Sequence, residues 1–166
     1  MIILSGYGNV AWGVCLKARD LGAKVISISG RDGYVYDEEG ITTDEKIDFL
    51  LRIRGENNIK LEDYAKKFNA KFYPKQKPWG LKGDIAFPSA TENEINLEDA
   101  KVLHKNGVKY VFEGTSLITI ILSMNRLLIR SFNHLGANFP TMPDAMQYFK
   151  ENGVILGPAI AANAGQ

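Results

Sequence analysis

The chain contains 166 residues, of which 45% are hydrophobic, and its 20 basic and 19 acidic side chains leave a formal net charge of +1. This length and apolar content suffice for one well-cored domain, and the balanced charge argues against nucleic acid as a partner. The one cysteine, Cys15, excludes an intrachain disulfide, and the helical pattern around it predicts a buried structural thiol.

A glycine-rich turn joins the first predicted strand to the first predicted helix. Residues 2–5 form an apolar run typical of a strand, and a helical pattern follows over about residues 9–21. Between them stands Gly6-x-Gly8-x-x-Ala11, a spacing that indicates dinucleotide binding in this strand–turn–helix context. Gly6 permits the tight turn, Gly8 opens the backbone to a pyrophosphate, and Ala11 lets the helix pack close to the strand. An ordinary βα turn remains the alternative.

The remaining elements alternate between strand and helix patterns. Strands are predicted at residues 24–28, 84–87, 109–112 and 154–156, and helices after Thr42 or Thr43 and at residues 61–68, 97–106 and 144–152. A turn is predicted at residues 30–33, followed by a short extended piece at residues 34–36. Such alternation predicts the α/β class, with a Rossmann-like, doubly wound and mostly parallel sheet that carries helices on both faces.

Seven stretches are more specific than the glycine turn alone. They are residues 5–11, 29–37, 77–80, 84–94, 113–114, 137–141 and 161–165, among them Ser-Gly-Arg-Asp-Gly-Tyr-Val-Tyr-Asp, Lys-Pro-Trp-Gly and Ala-Ala-Asn-Ala-Gly. In this order they resemble the nucleotide-binding domain of the NADP-type glutamate dehydrogenases. The resemblance implies that residues 1–166 are one dinucleotide-binding domain truncated at both ends.

The resemblance also implies a reaction, the oxidative deamination of L-glutamate to 2-oxoglutarate and ammonia and its reverse, with hydride passing to or from the nicotinamide. In that family a separate amino-terminal domain supplies the acid–base side chains and most contacts of the homo-hexamer. We therefore expect cofactor binding, no catalytic residue and no turnover from this chain alone. A non-catalytic nucleotide-binding module or a non-functional fragment is the alternative. No leader resembles a signal peptide, so we expect a cytoplasmic location.

Cofactor contacts are carried over from the resemblance position by position. The predicted binding residues are Gly6, Gly8, Asn9, Val10, Ser29, Arg31, Ala90, Thr91, Asn138 and Asn163. The first four would hold the pyrophosphate, and Ala90 and Thr91 follow the carboxyl end of a strand, where open α/β sheets bind ligands. The two asparagines follow later strand ends, and an amide can donate to and accept from the nicotinamide carboxamide.

The choice between NADP and NAD depends on the turn after the second strand. An acid there would bind the ribose hydroxyls of NAD, whereas an arginine can accommodate the 2′-phosphate of NADP. The turn reads Ser29-Gly-Arg31-Asp32-Gly, so its small residues leave room and Arg31 can pair with a phosphate. We favour NADP and keep NAD as the alternative.

Residues 115–136 interrupt the resemblance, because without them Gly114 would run directly into Ala137. Arg126 and Arg130 break the apolar run well short of the ~20 residues that a membrane helix needs, so no membrane span is expected. One interpretation of the segment is an amphipathic surface or partner-binding helix. The other is a retained intron, since the codons of its flanking glycines permit splice sites and its length preserves the reading frame.

Two further groups of side chains receive no functional role. His104 and His134 lack the cysteine or carboxylate neighbours typical of a metal site, so no metal is expected. A basic loop around Trp79 is expected to be solvated; its lysines are Lys75, Lys77 and Lys82. The resemblance implies that Trp79 itself packs under the sheet edge.

Overall fold

The computed structural model describes residues 1–56, 59–113 and 140–157. The strands are β1 Ile2–Leu4, β2 Ser27–Gly30, β3 Gly33–Tyr36, β4 Lys71–Pro74, β5 Ile85–Phe87, β6 Tyr110–Phe112 and β7 Ile155–Gly157, and the helices are α1 Asn9–Asp20, α2 Asp44–Gly55, α3 Leu61–Lys67, α4 Leu97–Lys105 and α5 Pro143–Glu151. The predicted insertion at 115–136 and the predicted site residues Asn138 and Asn163 lie outside the described residues, as does His134.

Four strands form a parallel sheet in the order β1-β5-β6-β7. On the other side of β1, Ile2 forms a parallel bridge with Val25, so the chain entering β2 extends this sheet by one short segment. Two backbone hydrogen bonds support the bridge: the N–H of Ile2 donates to the oxygen of Lys24 at 2.7 Å, and the N–H of Ile26 donates to the oxygen of Ile2 at 2.9 Å. The predicted mixed α/β class with a parallel sheet is confirmed.

Helices pack on both faces of the parallel sheet, because alternate residues of a strand point to opposite faces. Ile2 and Leu4 belong to an apolar cluster with α1, α2 and α3, whereas Ile3 belongs to a second cluster with α4 and α5. Cys15 of α1 is fully buried in the first cluster, and burial raises the pKa of its thiol to about 12. The prediction of a buried structural thiol is confirmed. Within the described ranges, no helix has both the length and the apolarity to cross a membrane.

The antiparallel part of the fold departs from the predicted pattern. Strands β2, β3 and β4 form a separate antiparallel sheet in that order. Only Arg31 and Asp32 connect β2 to β3, and so short a connection can join only antiparallel strands. Strand β4 was not predicted, since its four residues end in Pro74 and form an edge of the sheet.

A buried ion pair ties α2 and α3 to the end of β3. The Nζ of Lys46 lies 2.7 Å from Oδ2 of Asp37, and it also donates to the backbone oxygen of Gly40 at 2.8 Å. The hydroxyl of Tyr64, on α3, donates to the same Asp37 oxygen at 2.7 Å. Burial, followed by this hydrogen bond, raises the pKa of Tyr64, so the phenol stays protonated and remains a donor.

Replacing Asp37 with alanine is expected to lower the free energy of unfolding by about 3–5 kcal/mol, because it leaves the buried Lys46 ammonium without its carboxylate. Tyr64→Phe is the matched control, since it removes one hydrogen bond and should cost about 1–2 kcal/mol. Urea denaturation followed by tryptophan fluorescence measures both variants. An Asp37→Ala cost no larger than that of Tyr64→Phe would contradict the assigned role of the ion pair.

Candidate functional site

The glycine turn between β1 and α1 requires glycine at its first position. Gly6 has a φ of +82°, and a Cβ on it would lie 2.7 Å from the backbone oxygen of Ser89. Gly8 is the N-cap of α1, and no described atom lies within 4 Å of the place its Cβ would take. Gly6 therefore permits two backbone segments to pack closely, whereas Gly8 leaves open space beside the start of the helix.

The N-terminus of α1 borders that open space. The helix begins at Asn9, which Val10 follows, and its first turn contains no acidic residue. No described side chain caps this end of the helix. The first N–H groups of a helix lack partners within the helix, and together with the helix dipole they favour a negative charge. A phosphate group therefore fits the space that Gly8 leaves.

Two serine hydroxyls of β2 hold the end of β1 and the glycine turn. Ser27 Oγ accepts from the N–H of Leu4 and donates to the oxygen of Leu4, both at 3.1 Å. Ser29 Oγ accepts from the N–H of Gly6 at 3.0 Å, and both serines are buried. Ser29, a predicted cofactor-binding residue, thus contacts the turn through its hydroxyl and fixes the position of Gly6.

The loop that follows β5 packs against the same turn. The N–H of Ser89 donates to Oγ of Ser5 at 3.0 Å, so the residue after β1 binds the loop after β5 directly. The N–H of Ala90 donates to Oε2 of Glu94 at 3.1 Å. Ala90 and Thr91 remain exposed at the edge of the turn. The structure therefore brings these two predicted residues beside Gly6, although they are remote from it in sequence.

Glu94 was not predicted as a site residue, yet its buried carboxylate is central to this loop. Burial raises the pKa of the carboxyl group. Hydrogen bonds from the Ser5 hydroxyl and from the backbone N–H groups of Ala90 and Thr91, with the charge of Lys77, act in the opposite direction, and burial prevails. The sequence contained no signal for this role, because burial of one acid among several cannot be recognised from residue type.

The basic loop around Trp79 is only partly solvated. Nζ of Lys77 donates to the backbone oxygen of Glu94 at 2.7 Å and lies 3.3 Å from Oδ2 of Asp99. The ring N–H of Trp79, which is buried, donates to the same backbone oxygen at 3.3 Å. Lys77 is nevertheless exposed, as expected, and through Glu94 it helps to hold the loop after β5.

A cavity of about 250 Å³ lies at the turn between β2 and β3. Its lining residues come from the glycine turn, the β2–β3 turn, the end of α2 and the start of α3; they are Tyr7, Gly30, Arg31, Asp32, Ile53, Arg54, Glu56, Ile59, Lys60 and Leu61. The Tyr7 ring packs on Gly30, where an added Cβ would lie 2.8 Å from a ring carbon. Because Tyr7 stands between Gly6 and Gly8, the cavity lies next to the glycine turn.

The charges around the cavity are mixed, with an excess of cations. Arg31 was predicted from the sequence, but Arg54 and Lys60, which line the same cavity, were missed. Asp32 and Glu56 contribute two carboxylates to the lining. Arg54 lies in α2 and Lys60 is the N-cap of α3, so no local pattern could have placed them beside Arg31.

The predicted residues that the structure describes fall into two places. Gly6, Gly8, Asn9, Val10, Ser29, Ala90 and Thr91 gather around the glycine turn, and Arg31 lines the cavity. Nδ1 of His104 lies 3.1 Å from the Tyr148 hydroxyl. Among the residues that the structure describes, no group of three or more His, Cys, Asp or Glu side chains could hold a metal ion.

Comparison with known proteins identifies similar sequences over nearly the whole chain. The profile of the glutamate/leucine/phenylalanine/valine dehydrogenase family matches residues 1–127 and 134–166. The NAD-specific glutamate dehydrogenase of Clostridium symbiosum is 41% identical over 165 residues, covering 99% of this chain and 32% of that protein. The NADP-specific glutamate dehydrogenase of Psychrobacter sp. is 39% identical over 164 residues, covering 99% of this chain and 31% of that protein.

Solved structures give the same result. A glutamate dehydrogenase of Plasmodium falciparum superposes with a TM-score of 0.79 at 36% identity, over 99% of this chain and 30% of that chain. The chain therefore spans about a third of the length of the relatives it matches.

The two glycines of the turn are expected to respond differently to alanine. Gly6→Ala should lower the free energy of unfolding by about 2–3 kcal/mol, because its positive φ and the nearby Ser89 oxygen both oppose a Cβ. Gly8→Ala should stay within about 1 kcal/mol of the unsubstituted chain, since open space surrounds that position. Chemical denaturation of both variants measures the difference. Equal costs would contradict the roles assigned to the two glycines.

Proposed function

This chain belongs to the glutamate/leucine/phenylalanine/valine dehydrogenase family, and we propose that it is the cofactor-binding part of a glutamate dehydrogenase. In the proposed reaction a hydride passes between a nicotinamide cofactor and L-glutamate, or 2-oxoglutarate with ammonia. The similar proteins include NAD-specific and NADP-specific enzymes, which supports a nicotinamide cofactor for this chain. We further assign the sheet with its helices to the Rossmann-like, doubly wound type.

One observation carries the proposal: Tyr7, which stands between the two turn glycines, lines the cavity at the β2–β3 turn, so this cavity lies next to the open N-terminus of α1. A dinucleotide has the matching shape, since its pyrophosphate would lie over Gly8, Asn9 and Val10 and its adenosine would enter the cavity. The carboxyl end of β5, with Ala90 and Thr91, borders the pyrophosphate on the other side.

The chain's own residues bind and orient the cofactor in this proposal. Backbone N–H groups at the start of α1 hold the pyrophosphate, and Ser29 keeps Gly6 in place beneath it. Asn138 and Asn163 would hold the nicotinamide carboxamide through their side-chain amides. The proton transfers and the binding of the amino-acid substrate belong to parts of the family's proteins that this sequence does not match.

We propose NADP as the preferred cofactor, with NAD as the alternative. Arg31, Arg54 and Lys60 all line the cavity that would receive the adenosine ribose. A 2′-phosphate carries close to two negative charges and forms charge-assisted hydrogen bonds with guanidinium groups. Asp32 offers a ribose hydroxyl an acceptor and is the feature that would favour NAD.

Gly8→Ala tests the binding mode. This variant should fold normally but bind NADP⁺ and NAD⁺ about tenfold or more weakly, because the added methyl group occupies the approach of the pyrophosphate. Calorimetric titration of the variant and the unsubstituted chain with both dinucleotides measures the effect. Failure of the unsubstituted chain to bind either dinucleotide would overturn the proposed function, and unchanged affinity in Gly8→Ala would overturn the binding mode.

Cofactor preference is tested by Arg31→Ser and Arg54→Ser. Each should weaken NADP⁺ binding by about tenfold and NAD⁺ binding by less than about threefold, because only NADP⁺ presents a phosphate to the guanidinium groups. Lys82→Ser is the matched control, since it removes an exposed cation that does not line the cavity. Equal losses for both dinucleotides would show that these arginines do not read the 2′-phosphate.

A further inference from the structure

We propose that Glu94 is a positioning residue for the cofactor: its carboxylate fixes the loop after β5 against the glycine turn, so that dinucleotide affinity depends on its ionisation. This inference rests on the proposed function, because it concerns the same site. Glu94 itself is buried, and we assign it no direct contact with the cofactor.

Glu94 and Ser5 together connect the two loops. Ser5 Oγ accepts from the N–H of Ser89, and the Ser5 hydroxyl is also a donor to the carboxylate of Glu94. The same carboxylate accepts from the N–H of Ala90 at 3.1 Å and receives a backbone hydrogen bond from Thr91. The N–H groups of Ala90 and Thr91 and the Ser5 hydroxyl thus all favour the charged form of the carboxylate.

The position of this loop decides the shape of the glycine turn. The backbone of Ser89 and Ala90 lies so close to Gly6 that a Cβ on Gly6 would be 2.7 Å from the Ser89 oxygen and 3.2 Å from the Ala90 nitrogen. A loop displaced at Ala90 would therefore change the surface over which the pyrophosphate must lie. Three contacts fix the backbone at Glu94. Lys77 and Trp79 donate to its backbone oxygen, and its neighbour Ile95 forms a bridge with Thr141.

Protonation of Glu94 would remove this arrangement. A protonated carboxyl group is uncharged and carries its own O–H donor, so its oxygens accept the hydrogen bonds from this loop more weakly. Burial raises the pKa of Glu94, which brings its protonation to higher pH than for an ordinary glutamate. The loop contacts are therefore complete above the folded-state pKa and are lost as the pH falls through it.

Other titratable groups lie near Glu94, and their effects on the pH dependence must be distinguished from its own. Lys77 lies on the side of the Trp79 loop, Asp99 on α4 binds Lys77, and Glu92 belongs to the same loop but is exposed. Glu113, at the end of β6, is also buried; its Oε1 accepts from the N–H of Thr141, and burial raises its pKa as well. Glu113→Gln is the matched control, because it removes the charge of the other buried carboxylate while its amide oxygen can still accept from the N–H of Thr141, which is bridged to Ile95.

The experiment titrates the chain with NAD⁺ between about pH 7.5 and about pH 5, a range above the usual glutamate pKa of about 4.3. NAD⁺ is the probe because it lacks the 2′-phosphate, whose own ionisation near about pH 6 would add a second pH dependence. We expect affinity to fall by about tenfold on acidification in the unsubstituted chain and in the control Glu113→Gln. Glu94→Gln should bind weakly at both ends of the range, with a change of less than about threefold.

A second readout needs no cofactor. Hydrogen-exchange protection of the Ala90 and Thr91 amides, corrected for the intrinsic effect of pH, should fall on acidification in the unsubstituted chain and in Glu113→Gln, but not in Glu94→Gln. Affinity that rises on acidification, as repulsion between the carboxylate and the pyrophosphate alone would produce, would overturn the inference. So would the same pH profile in Glu94→Gln and the unsubstituted chain. Absence of both NAD⁺ and NADP⁺ binding at every pH, with the exchange result as expected, would instead overturn the proposed function.

Discussion

The close approach of two backbone segments, at Gly6 and Ser89, is the constraint on which the rest of the candidate site depends. It leaves no room for a side chain at Gly6 and imposes a positive φ there. The surrounding polar groups keep these segments in contact: Ser29 binds the N–H of Gly6, and Ser5 binds the N–H of Ser89. Gly8, the other glycine of this turn, leaves open space at the start of α1.

The same region explains how one chain forms both a parallel and an antiparallel sheet. Beyond the bridge at Ile2, β2 is held beside β1 by the hydroxyls of Ser27 and Ser29, which replace further backbone pairing between these two strands. The backbone of β2 pairs instead with β3, and the turn between them reaches the ends of α2 and α3. The cavity beside Arg31 is a consequence of that change of partner, and the buried Asp37–Lys46 pair fixes the helices that close it.

The sequence predicted those parts of the site that depend on local pattern. Both turn glycines, the start of α1 and the position of Arg31 follow from residue type and spacing over short distances. The antiparallel sheet was missed because β4 is a short edge strand, and Arg54 was missed because only tertiary packing brings α2 to the β2–β3 turn. Glu94 could not be recognised for a similar reason. The role proposed for it depends on its burial and on Ser5, which is remote from it in sequence.

The most direct test of the account is a backbone amide NMR titration of the chain with NADP⁺. The account predicts that the largest shift changes occur at Gly8, Asn9 and Val10, with a second group at Arg31 and a third at Ala90 and Thr91. Together these residues would outline a dinucleotide that crosses from α1 into the cavity. Changes centred on α4 and α5, or no saturable change at any described amide, would contradict the claim that the glycine turn and the β2–β3 cavity form one cofactor site.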